Sequence, residues 1–154
     1  MSGPLWNWKS AVLSISMRTP VFMTVAATMG GRAIALAALI DISFRTVVAG
    51  FSGALTQYLS TTKRRRLAAL TVVLFVPAGS QAAESLLHRS AGTPHLTVAL
   101  AVSGGMTMAS SAFDLYAMRR GVFVVGGEAA GLTDDLLRVP MLIRDALLAR
   151  SPSE

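Results

Sequence analysis

Lys63-Arg64-Arg65-Arg66 is followed immediately by Leu67 to Ala83, a stretch without a single charged residue. Four consecutive cations cannot enter lipid, whereas the run behind them can, and further apolar stretches lie on both sides of this boundary. The pattern predicts an integral membrane protein whose basic cluster stays on the cytoplasmic side, where positively charged loops are retained during insertion. Every other segment is placed relative to that cluster.

Composition leads the same way. Of 154 residues 53% are hydrophobic and only 14% charged, against about 25% charged in an ordinary soluble domain. The chain has no cysteine, which excludes disulfides, thiolate metal ligands and cysteine nucleophiles. A net charge of +6 with a pI near 11.1 would suggest nucleic acid in a soluble protein. Here basic loops lying beside anionic headgroups account for it, so the expected partner is the lipid bilayer and no nucleic acid. Twelve of the 14 cations are Arg, a bias that points to a GC-rich bacterial genome.

The expected fold is all-α: a polytopic membrane helix bundle of about four transmembrane helices with interfacial amphipathic helices at both termini. Residues 1–18 form the N-terminal interfacial segment, in which Leu5, Trp8, Val12 and Ile15 recur at helical spacing and Trp6 and Trp8 suit the headgroup region. Residues 19–120 hold the four spans, and residues 121–154 a cytoplasmic tail with an amphipathic helix.

The start of the first span has two parses. In one, Thr19 caps and Pro20 opens a helix running to about Ile40, with a second span from Thr46 to about Thr62. In the other, helix one is Ser10 to Met29, Gly30-Gly31 is the turn and helix two is Ala33 to Ser60. The second parse buries Arg18, Asp41 and Arg45, the first only Arg32. At about 2.5 to 3.5 kcal/mol per charge at mid-membrane, even with Asp41 and Arg45 paired at i,i+4, the first parse is favoured. A third span, Leu67 to about Leu87, should kink at Pro77, which cannot bond the Val73 carbonyl. Thr93-Pro94 opens a fourth, which runs to about Ala117 and ends at Arg119-Arg120. Residues 121–127 are too short to span and have no assignable structure, and Thr133-Asp134-Asp135 reads as the start of the tail helix.

Few residues can carry chemistry. Arg32 falls inside a span, where an ionisable side chain needs a partner or a wet cavity, and helix depth matches it to Glu84, with Asp114 as a further group along a transport path. Glu84 and His88 stand at i,i+4, and His95 follows across a loop, a set able to hold a metal or relay protons. Asp114 is expected to pair with the basic end of its own helix. Ala101, Gly105 and Ala109 form a small-residue ladder suited to close helix packing, with Ser103, Thr107 and Ser111 beside it. No nucleotide, metalloprotease or nucleophile-elbow motif is present, and no cofactor is implied.

The first expectation for function is therefore a non-enzymatic membrane subunit, scaffold or assembly partner that binds another copy of itself or another membrane protein through the Ala101–Gly105–Ala109 face. The second is a small oligomeric transporter or channel built on Arg32 and Glu84. The third is a membrane-embedded metalloenzyme at Glu84, His88 and His95.

The charge distribution fixes a topology. A reporter fused after Glu154 and one inserted between Ser60 and Lys63 should both report the cytoplasm, and one inserted at Ala91 the opposite side; a cytoplasmic signal at Ala91 would contradict four spans.

Overall fold

The structure, a computed structural model, describes residues 5–27, 31–90 and 97–148, and every regular element among them is helical. Four long helices run up and down: α1 (Trp8–Ala26), α2 (Gly31–Ser60), α3 (Arg65–Ser90) and α4 (Thr97–Met118). A fifth, α5 (Leu132–Leu148), packs across one end. The preferred parse of the first span is overturned. Pro20 lies inside α1, residues 41–45 are mid-helix in α2, and the expected boundary at residue 18 falls within a continuous helix. Gly30, Thr93 and Pro94 lie outside the described residues.

Each helix is stopped or started by recognisable chemistry. Asn7 caps α1, its Oδ1 accepting the Ser10 N–H at 3.1 Å, as N-cap asparagines do. The α4 helix ends in a Schellman motif: the Gly121 N–H reaches the Met118 carbonyl and the Val122 N–H the Ala117 carbonyl, both at 3.1 Å. Gly121 at φ +73° supplies the left-handed residue that this cap requires. In α5 the cap falls on Gly131, earlier than the expected Thr133, and Asp134 folds back to accept the Gly131 N–H at 3.3 Å.

Within α3, residues Thr71–Phe75 widen into a π-helical turn, with the Val76 N–H bonding the Thr71 carbonyl five residues back. Pro77 cannot continue an i→i−4 ladder, and the wider turn next to it is one of the recognised ways in which a helix absorbs such a break.

The α1 and α2 helices approach closely because Gly50 and Gly53 leave room. A Cβ at Gly50 would fall on the Trp6 indole, and one at Gly53 on the Ser10 side chain. The indole Nε1 donates to the Thr46 carbonyl at 3.0 Å, and the Asn7 N–H to the Gly50 carbonyl at 2.8 Å. The N-terminal stretch is thus held in a groove on α2. Within the described part of residues 1–18, Asn7, Lys9, Ser10, Ala11 and Arg18 are buried against the bundle, while Leu5, Trp6, Trp8 and Val12 are exposed.

The interior is polar and the exterior apolar. Among the described residues thirteen polar or charged side chains are buried against twelve apolar ones, and five of those twelve (Ala117, Met118, Val122, Phe123 and Leu142) gather at the α5 end. Phe51, Tyr58, Phe75 and Leu86 are at least half exposed on the outside. Two helical stretches, Ile34–Ser60 and Arg65–Ser90, are long and apolar enough to cross a membrane.

Candidate functional site

The centre of the bundle is built on Arg45. It lies one turn after Asp41 on α2, and its Nε donates to Asp41 Oδ1 at 2.8 Å. Its Nη2 reaches across to α3, donating to Glu84 Oε1 at 2.6 Å, and to Ser103 Oγ of α4 at 2.9 Å. The second oxygen of Asp41 accepts from Thr19 Oγ1 of α1 at 2.6 Å, and Ser103 Oγ donates to Glu84 Oε2 at 3.4 Å. All four long helices therefore contribute to one network around a guanidinium that is 3% exposed. Removing such charges from water is offset only where geometry and hydrogen bonds are this complete.

This overturns the Arg32–Glu84 pair. Arg32 is the second residue of α2 and is exposed, while Glu84 is engaged by Arg45. The depth calculation rested on a helix beginning at Pro20; with α2 beginning at Gly31, Arg32 lies at the bundle end and Arg45 takes its place.

Arg18 forms a second centre. It is 6% exposed, and its Nη1 and Nη2 donate to Thr107 Oγ1 at 2.6 Å and Ser110 Oγ at 2.5 Å on α4. No carboxylate lies within 4 Å of it among the described residues. Thr107 and Ser110 continue the line begun by Ser103, so one face of α4 carries hydroxyls to both arginines at i, i+4 and i+7. Arg18 and Arg45 border a cavity of about 470 Å³ between the helices, walled mainly by apolar side chains including Phe44, Phe113 and Phe123. That volume lies in the range of small-molecule pockets. Asp114 lines the same cavity and makes no ion pair with Arg119 or Arg120, contrary to expectation. Arg120 instead stacks over the Tyr116 ring, with its guanidinium carbon 3.7 Å from the centroid.

The basic end is closed by a polar knot. Lys9, 2% exposed, donates to Asp135 Oδ2 at 2.5 Å and to the Ala130 carbonyl at 2.6 Å. Asp135 Oδ2 also accepts the Phe123 N–H at 3.0 Å. Asn7 Nδ2 donates to the Phe123 carbonyl at 2.9 Å, and Gln57 holds both backbone groups of Val125, at 2.8 and 3.0 Å. These bonds fix Phe123 at φ +61°, a conformation costing a non-glycine residue roughly 1–2 kcal/mol. The segment without assignable structure is a loop ordered by side chains far away in sequence. Lys9 is accordingly a buried partner of Asp135. Lys63, Arg64, Arg65 and Arg66 are all exposed at this same end, between α2 and α3.

Glu84 and His88 share a buried face of α3, but the Glu84 oxygens are taken by Arg45 and Ser103, and His95 lies outside the described residues. No group of three potential ligands forms among the described residues. Ala101, Gly105 and Ala109 are exposed, Ala109 also lining the cavity, and a Cβ at Gly105 would meet nothing within 4 Å. The face that α4 turns to its neighbours is the hydroxyl line, not the small-residue ladder.

Sequence reasoning missed Arg18, Asn7, Gln57 and Asp135 as members of these clusters. The signal for Arg18, Asp41 and Arg45 was present in the rejected parse.

Arg45→Met should destabilise the protein by about 3–5 kcal/mol by leaving two buried carboxylates without their cation. The triple variant Asp41→Asn, Arg45→Met, Glu84→Gln should recover most of that loss, whereas Arg32→Gln should stay within about 0.5 kcal/mol of the parent. Melting in a mild detergent measures all three. No family model, no curated protein and no solved structure matches this chain, so its own geometry is the guide to what the clusters do.

Proposed function

We propose that this chain is a multi-pass membrane protein that binds a small solute within its helical bundle and carries it across the bilayer. The main support is the inverted distribution of polarity: apolar side chains face outward, while Arg45, Glu84, Asp41 and Arg18 are buried between the helices, the two arginines on the wall of a cavity. Ionisable residues inside a membrane bundle are costly and by default mark a substrate or ion pathway. The Arg45 network would serve a scaffold as well, but a scaffold that only packed against partners has no use for a cavity bordered by Arg18 and Asp114.

Reconstitution tests this reading. Proteoliposomes should take up at least one member of a panel of labelled organic anions, cations and zwitterions faster than protein-free liposomes do. Ala49→Phe, which fills the cavity from α2, should abolish that uptake. Absence of protein-dependent flux across the whole panel would overturn the transport reading.

A second reading has its own observation. The outward ladder Ala101, Gly105 and Ala109 offers a surface on which another helix can approach closely, as a subunit or homo-oligomer interface would. Gly105→Leu should then shift the oligomeric state seen by cross-linking in membranes while leaving monomer stability unchanged. Unaltered cross-linking would count against association through this face.

A further inference from the structure

Arg18 and Asp114 line one cavity with opposite charges and yet do not meet. Arg18 is drawn to Thr107 and Ser110, two of its five N–H groups being spent on neutral hydroxyls. Asp114 stands on the same face of α4 one turn beyond Ser110, a rise of about 6 Å. The two groups lie within electrostatic reach of each other, but their separation exceeds the 4 Å of an ion pair, and among the described residues neither has another salt-bridge partner. By contrast Arg45, the other cation on this cavity, is already engaged by two carboxylates.

A guanidinium and a carboxylate held apart on the wall of an apolar cavity select for a particular ligand charge. An anion would satisfy Arg18 and worsen the position of Asp114. A cation would do the reverse. A molecule carrying both a carboxylate and an ammonium on neighbouring atoms satisfies both and adds no net charge to a low-dielectric interior. The rest of the wall, with Phe44, Phe113, Phe123 and Met106, suits an apolar or aromatic remainder.

We infer that the cavity between Arg18 and Asp114 is a binding site for a zwitterionic aminocarboxylate with an apolar side chain, its carboxylate on Arg18 and its ammonium on Asp114. This deepens the transport reading by naming the class of solute, and it rests on that reading only for the movement of the ligand.

The test is calorimetric titration of the full-length protein in lipid nanodiscs with three compounds sharing a phenyl group: L-phenylalanine, 3-phenylpropanoate and phenethylamine. L-Phenylalanine should bind at least tenfold more tightly than either singly charged analogue. Arg18→Gln and Asp114→Asn should each weaken it about ten- to a hundredfold, the loss expected for one charge-assisted contact. Ala49→Phe should abolish binding without touching either charge. Should Arg18→Gln fail to fold, Asp114→Asn and Ala49→Phe decide the matter alone. Preference for the propanoate would make the site an anion site, and preference for the amine a cation site; either result, or absence of L-phenylalanine binding, overturns the inference, as does an Asp114→Asn variant that binds normally. L-Phenylalanine binding without flux in proteoliposomes sustains this site and overturns transport. Flux of another solute class without L-phenylalanine binding does the opposite.

Discussion

The bundle depends on Arg45. Its guanidinium touches side chains of α2, α3 and α4, and through Asp41 it extends to Thr19 of α1. Hydrophobic contact cannot select one arrangement of helices when the outward faces are as apolar as the inward ones. A forked donor between two fixed carboxylates can, because a small rotation or slide of any helix leaves a charge without its partner. The register of α2 against α3, and of both against α4, is set by hydrogen bonds of 2.6 to 2.9 Å more than by the shape of the apolar side chains around them.

The same logic explains why the polar residues are distributed over two layers. The Arg45 layer holds the middle of the bundle, and the Lys9–Asp135 knot closes the basic end. Between them lie the cavity and Arg18, joined to the first layer by the hydroxyls of Ser103 and Thr107. Thr107 donates to the Ser103 carbonyl at 2.7 Å and accepts from Arg18 at 2.6 Å, so occupation of the Arg18 centre would be felt in the α4 backbone beside Arg45.

Much of the helical architecture was legible in the sequence, and the errors have a common cause. The basic cluster correctly marked the turn between α2 and α3, and the apolar runs gave an all-helical chain. The first span went wrong because its charges were counted as isolated penalties. Asp41 and Arg45 were recognised as an i,i+4 pair, but a third member, Glu84, comes from a helix that no local pattern connects to them. Once three charges share one site, the parse that buries them becomes the cheaper one. Glu84 meets Arg45 and not Arg32, to which the displaced helix start assigned it. Residues 121–127 were illegible for a different reason. Their backbone is held by Asn7, Gln57 and Asp135, the first two more than sixty residues away, and periodicity carries no information about such contacts.

The contact between Lys9 and Asp135 joins the first turn of the first helix to the first turn of the last one, across 126 positions of sequence. A ribosome delivers the first of these long before the second. During synthesis the ammonium on α1 therefore has no carboxylate to receive it, and it must stay in contact with water or with an assembly factor until α5 emerges. The basic end therefore closes only after α5 has been made, and the order of synthesis leaves the cavity open from that side until then.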